Sequence, residues 1–144
     1  MGKTFDILLV EDSDADAFLT RTVIEDGELS VDLSIVKDGV EAMAFLRREN
    51  GYADAVRPNL ILLDLNMPKK SGYQVLTEMR IDEVLRQIPV VVFSTSDNET
   101  DVRASYAHGA NCYVTKPNRL ADFRTAIHAI ETFWLTTVRL PAVQ

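Results

Sequence analysis

Asp64 stands at the end of an unbroken apolar run, Leu60-Ile61-Leu62-Leu63, and is followed by Asn66, Met67, Pro68 and Gly72, residues that turn a chain. A carboxylate delivered in this way can accept a group in transfer, hold a cation or cap the next helix. Taken alone, capping has the better claim, because aspartate opens turns and helices routinely. The other apolar runs change the balance. Glu11 and Asp12 follow Ile7-Leu8-Leu9-Val10, the hydroxyls of Ser94 and Thr95 follow Val90-Val91-Val92-Phe93, and Lys116 follows Tyr113-Val114-Thr115. Gathered together, Glu11, Asp12 and Asp64 would repel one another, which raises carboxylate pKa values and destabilises a fold unless a cation sits among them. A hard divalent ion held by carboxylates and water answers that need, and Mg²⁺ fits because it keeps positions open for phosphate oxygens. Lys116 and Ser94 would add positive charge and a hydrogen-bond donor. Such a set suits a carboxylate that accepts a phosphoryl group, where catalysis is mostly positioning and neutralising oxygens.

The elements needed to gather these residues are legible in the spacing. Short, wholly apolar runs are expected of strands buried on both faces. Between them lie helical patterns. Ala15, Phe18, Leu19, Thr22 and Val23 follow Ser13 or Asp14 as a cap and end near Gly27. Met43, Phe45 and Leu46 follow Asp38-Gly39; Val75, Leu76 and Met79 fall between Ser71 and Leu85; Val102, Tyr106 and Ala107 fall between Asn98 and His108. The last helix, from Arg119 to Thr137, carries a stripe of Leu120, Phe123, Ile127, Ile130 and Trp134. Val31, Leu33 and Ile35 alternate with polar residues as a second strand, and 50–58 is a long polar connection. Strand and helix alternating along the whole chain indicate a parallel sheet wrapped on both faces, because parallel neighbours need a crossover. Open sheets of this kind place their ligand sites at the carboxyl ends of the strands, where every residue singled out above would lie.

Composition sets limits on what such a site could serve. The 144 residues suit one core, expected over 1–137 with a tail at 138–144. With 47% hydrophobic and 26% charged residues the chain is globular in composition and lacks an apolar run long enough to span a membrane. Fifteen Lys plus Arg against 22 Asp plus Glu give a net charge of -7, which opposes nucleic-acid binding in the absence of a basic cluster. The start of the chain does not read as a signal peptide, and the single cysteine, Cys112, cannot form an internal disulfide, so a cytoplasmic location is expected. Cys112, His108 and His128 lack ligand-spaced partners and are taken as structural.

At the strand ends the sequence resembles the receiver domain of two-component response regulators, over roughly Thr4 to Phe133. Glu11-Asp12 is similar to the acidic pair of that family, Asp64 to its phosphoacceptor, Ser94 to its switch hydroxyl, Tyr113 to its aromatic switch residue, and Lys116-Pro117 to its lysine with the following, usually cis, proline. The resemblance implies a flavodoxin-like (βα)5 fold, a doubly wound parallel sheet with strand order 2-1-3-4-5. It also implies that Asp12, Asp64 and the backbone carbonyl of Asn66 hold Mg²⁺, with Glu11 acting partly through water. Lys116, Ser94 and Thr95 would then meet the phosphoryl group. Tyr113 would turn inward as Ser94 moves, altering the face made by the fourth helix, fifth strand and fifth helix. Two departures stand out: Glu11 replaces a commoner aspartate, and Thr95 stands where a small residue is frequent.

The function implied is that of a single-domain regulator, not an enzyme but a phosphoacceptor that assists its own phosphorylation and dephosphorylation and signals by binding another protein. One competitor is an aspartate-nucleophile phosphatase, in which the nucleophile follows the first strand and a second acid lies two residues on; here Asn66 cannot act as that acid. The other is a scaffold receiver that is never phosphorylated. A narrower resemblance, carried by the 50–58 loop, Met67 to Gly72, Arg86 to Val92, Ser94-Thr95-Ser96 and Phe133-Trp134-Leu135, points to the regulators that partner bacterial and cyanobacterial phytochromes. The donor would then be a light-sensing histidine kinase. Ala126, Ala129, Phe133 and Val138 fall off the stripe of the last helix, and Leu135 and Leu140 extend its apolar material. A symmetric homodimer through the fourth-helix, fifth-strand, fifth-helix face is therefore expected, with Phe133, Trp134 and Leu135 as candidate contacts, against the alternative that the tail folds back on its own domain.

Overall fold

In a computed structural model that describes residues 3–142, the apolar runs pair as strands. Met1, Gly2, Val143 and Gln144, at the outer ends of the expected domain and tail, lie outside the described residues. Strands β1 (Thr4–Val10), β2 (Ser30–Val36), β3 (Leu60–Leu63), β4 (Val90–Ser94) and β5 (Cys112–Thr115) form one parallel sheet in the order β2-β1-β3-β4-β5. Helices α1 (Asp14–Glu25), α2 (Gly39–Arg47), α3 (Gly72–Arg80), α4 (Glu99–Ala107) and α5 (Leu120–Glu131) alternate with them. This is the flavodoxin-like arrangement expected.

Successive side chains of a strand point to opposite faces, so each central strand feeds two apolar layers. Leu8, Val10, Ile61, Leu63, Val90 and Val92 face α2 and α3, where Met43, Leu46, Val75, Leu76 and Met79 meet them. Ile7, Leu9, Leu60, Leu62, Val91 and Phe93 face α1 and α5, against Val23, Ile24, Phe123, Ile127 and Ile130. Helix α4 contributes little to either layer: Ser105 is its buried side chain, while Tyr106 and Ala107, expected on its inner face, are exposed. A strand-to-helix loop precedes each helix at one edge of the sheet. Ser13, Asp38, Ser71 and Asn98 cap α1 to α4 there, each accepting a hydrogen bond from an amide of the first turn.

Three differences from the sequence reading have local causes. Helix α3 stops at Arg80 because the Asp82 carboxylate takes the amides of Val84 and Leu85, both at 2.9 Å, and starts a separate 3₁₀ turn at Leu85–Gln87. The last helix continues from α5 into a π-helical segment, Thr132–Thr137. Each π turn takes in an extra residue, so the stripe passes from Ile130 to Leu135, which is buried, and not to Trp134, which is half-buried. Leu120, at the other end of the expected stripe, is exposed. The tail residues Leu140, Pro141 and Ala142 line a small cavity with Pro58, Ile88 and Pro89 of their own domain, as the fold-back alternative has it. No helix among the described residues is long and apolar enough to cross a membrane.

Candidate functional site

Main-chain pairing past the strand ends fixes where the acids sit. The amide of Asp64 donates to the carbonyl of Val10 at 3.0 Å, that of Glu11 to Val36 at 2.9 Å and that of Lys116 to Ser94 at 2.7 Å. The ladders therefore run one residue beyond β3, β1 and β5, and the three side chains leave from registered positions. Gly72 backs Asp64 from behind. Its amide donates to the carbonyl of Leu65 at 3.0 Å, and a Cβ there would lie 2.7 Å from the carbonyl oxygen of Asp64 and 2.9 Å from Leu65 Cα, a space that only glycine leaves open.

Glu11, Asp12 and Asp64 each place one carboxylate oxygen within 4.8 Å of the others. Glu11 is buried, Asp64 half-buried and Asp12 exposed, so the cluster has a closed side and a wet side. The Lys116 ammonium closes it. Buried itself, it donates to Glu11 Oε1 and, at 2.9 Å, to Asp16 Oδ2, while Asp64 Oδ2 lies 3.9 Å away. Burial pushes the Glu11 carboxyl up to about 7; Lys116 draws it down and the neighbouring Asp64 charge adds to the rise. Burial also pulls on the Lys116 ammonium in the discharging direction, but its hydrogen bonds to Glu11 and Asp16 outweigh that and hold its pKa above the ordinary lysine value. Three carboxylates, one of them reluctant to ionise, fit a divalent cation: all donors are hard oxygens, and the exposed side leaves room for water.

The remaining residues of the expected site lie on β4, on β5 and on the loops that follow β3 and β4. Ser94 is fully buried at the end of β4, and its Oγ accepts from the Ser96 amide at 3.3 Å. Thr95 and Asn66 are exposed beside it and on the loop after β3, respectively. Tyr113 is half-buried, with its hydroxyl donating to the carbonyl of Ser96 at 2.6 Å. The Lys116-Pro117 bond departs from expectation. It is trans, as are all described peptide bonds; trans is the form an X-Pro bond favours intrinsically, by about 0.5–1 kcal/mol, and Lys116 reaches its acids from it.

Residues that sequence reasoning passed over complete the surroundings. Asp16 sits in the first turn of α1, where an acid favours the helix dipole, and pairs with Lys116 from across the chain. Asp101 in α4 accepts from the Ser96 hydroxyl at 2.7 Å and from the Tyr73 hydroxyl of α3 at 2.8 Å, and these bonds hold its carboxyl below the usual aspartate value. No local pattern announces the Asp16–Lys116 or the Tyr73–Asp101 contact, since those partners are far apart in sequence.

Residues 7–128 match the family described as the response regulator receiver domain. The chain belongs to that family. This receiver is 52% identical over 136 residues to the response regulator Rcp1 of Synechocystis sp., covering 94% of this chain and 92% of that protein. It matches the crystal structure of the phosphorylated cyanobacterial phytochrome response regulator RcpA with a TM-score of 0.93 at 47% identity, over 97% of this chain and 100% of that one. The Mn²⁺-bound form of Rcp1 matches with a TM-score of 0.90 at 51% identity, over 96% of this chain and 99% of that one.

At the far end of the receiver, Phe133 is exposed and packs edge-on against Trp134, with ring centroids 5.2 Å apart. Burial raises the pKa of the Cys112 thiol in β5, with Trp134 acting in the opposite direction. Leu135, expected at a contact with a second copy, is instead buried in the core of its own chain, because the π-helical turn swings it inward.

Proposed function

We propose that Asp64 accepts a phosphoryl group from a phosphohistidine of a sensor histidine kinase. The observation that carries this reading is the convergence of Glu11, Asp12 and Lys116 on Asp64 at one sheet edge. An Asp64 carboxylate oxygen attacks the phosphorus, the phosphorus–nitrogen bond of the donor breaks, and the imidazole leaves with the electron pair. Mg²⁺, held by Asp12, Asp64 and the Asn66 carbonyl with Glu11 partly through water, would supply charge neutralisation at the phosphoryl oxygens. Lys116 offers its ammonium to the same oxygens. Ser94 gives up the Ser96 amide and donates its hydroxyl to the phosphoryl group, with Thr95 at the exposed rim, and Tyr113 follows by shifting on Ser96.

The signal then leaves through the face formed by α4, β5 and α5, a two-state surface biased by new charge. We take that face to join two copies in a homodimer, with Phe133 and Trp134 as contacts and Leu135 withdrawn into the core. A phytochrome kinase as donor is supported by the likeness to RcpA along nearly the whole length of both chains. The protein acts on this reading as a phosphoacceptor, with catalysis limited to its own phosphorylation and the hydrolysis that ends it, and receiver and tail divide at 137. A cytoplasmic location goes with it, since a phosphohistidine donor is replenished from ATP. The test is intact mass after incubation with Mg²⁺ and a small phosphodonor. Wild type gains one phosphoryl group and Asp64→Asn gains none; an unmodified wild type leaves the scaffold reading in its place.

A further inference from the structure

Lys116 carries three ammonium donors and stands among three acids that do not hold it equally. Glu11 and Asp16 are within hydrogen-bond distance, whereas Asp64 at 3.9 Å is beyond it. The ammonium therefore leans toward β1 and α1 and away from Asp64. Its two anchors also differ from each other. The Glu11 side chain is 3% exposed and the Asp16 side chain 34%. Asp16 shares the wall of an opening of about 240 Å³ with Leu19, Thr95, Lys116 and Asn118, so water reaches its side of the pair. A partly exposed ion pair is weak and yields to a stronger competitor, whereas a buried one is hard to break.

We propose that Asp16 is a positioning residue that holds the Lys116 ammonium back from Asp64 until a phosphoryl group arrives; this rests on reading Asp64 as the acceptor. The acyl phosphate carries nearly two negative charges where the free carboxylate carries one, and its oxygens reach further than the carboxylate did. Lys116 then exchanges Asp16 for a phosphoryl oxygen while keeping Glu11. Asp16 thus subtracts from the affinity of the site for a phosphoryl group and sets how readily the lysine commits to it. Asp14 provides the comparison: it lies in the same first turn with the same charge, but pairs with Lys37 at 2.6 Å and has no contact with Lys116 among those described.

Trifluoroberyllate, which mimics a phosphoryl group on a carboxylate, is the probe, titrated at saturating Mg²⁺ and read by ¹⁹F NMR. Asp16→Asn is expected to bind it about three- to fivefold more tightly than wild type, the size of one partly exposed ion pair. Asp16→Glu, which keeps the charge, and Asp14→Asn, which removes an equal charge elsewhere, are both expected to match wild type. A purely structural role for Asp16 would leave affinity unchanged or lower it, and either result in Asp16→Asn overturns the proposal, as does an equal gain in Asp14→Asn. If wild type binds no trifluoroberyllate, and the small phosphodonor leaves its mass unchanged, the acceptor reading itself falls and this inference with it.

Discussion

The Tyr113 hydroxyl donates to the carbonyl oxygen of Ser96, while the amide of the same Ser96 donates to Ser94 Oγ. One residue of the loop between β4 and α4 is thus held by both expected switch side chains. Tyr113→Phe removes one of these bonds without changing shape. It is expected to cost about 1 kcal/mol of stability, the usual worth of a single hydrogen bond, and to speed amide exchange at 96–98 selectively. Uniform protection across that loop in the variant would mean that the hydroxyl does not hold it.

Gly72 permits the close approach of its backbone to Asp64. Gly72→Ala forces a Cβ toward two main-chain atoms at 2.7 and 2.9 Å, so the loop after β3 must shift. A loss of about 1–3 kcal/mol is expected from such overpacking, together with weaker divalent-ion binding, because Asp64 moves with the loop. Calorimetric titration with Mg²⁺ checks the second effect, and an unaltered affinity would argue that Asp64 is positioned from the β1 side alone.

Lys116 neutralises a buried carboxylate. Lys116→Met leaves Glu11 without its partner and is expected to destabilise the protein by about 3 kcal/mol in the absence of divalent ions, as for other broken buried pairs. Mg²⁺ should then stabilise the variant more than it stabilises wild type, since it replaces a missing positive charge. Urea denaturation with and without Mg²⁺ measures both, and an equal Mg²⁺ gain in the two proteins would contradict the shared role of ion and lysine.

Glu131 is buried on α5, its Oε2 has no hydrogen-bond partner among the described residues, and burial raises its pKa above the ordinary value of 4.5 despite the opposing influence of His128. The folded state therefore holds this proton more tightly than the unfolded chain does. Its contribution to stability is complete below pH 4.5 and is lost as pH rises through the higher folded value. Glu131→Gln does not titrate, so its melting temperature relative to wild type should climb with pH over that window. A difference independent of pH would show that Glu131 ionises normally in the fold.

Much of this was legible because the signals were local. Leu60 to Leu63 read as a doubly buried strand and is one, and Asp64 therefore fell at the carboxyl edge of the sheet. The acids after β1 and the lysine after β5 followed by the same reasoning. Where the reading slipped, the cause was geometry with no counterpart in residue type. A 3.6-residue period carried the α5 stripe to Trp134, but a π turn moved the buried position to Leu135. Asp16 was not singled out, and its link to Lys116 exists only because the segments after β1 and β5 bring both side chains to one edge. Tyr73 and Asp101 likewise meet across α3 and α4, elements whose relative placement no spacing encodes.

Helix α4 buries a single side chain, a serine whose hydroxyl bonds back to the Asp101 carbonyl of its own helix. Both apolar layers are completed by other helices. Sliding or tilting α4 would therefore wet little hydrocarbon beyond its half-buried Val102 and Ala104, and its restraints include the polar tethers of Asp101 to Ser96 and Tyr73 and of Tyr106 to the Tyr113 amide. The fold thus divides its labour: a greasy frame that holds the acids in register, and one lightly moored helix that can change berth while the frame stays dry.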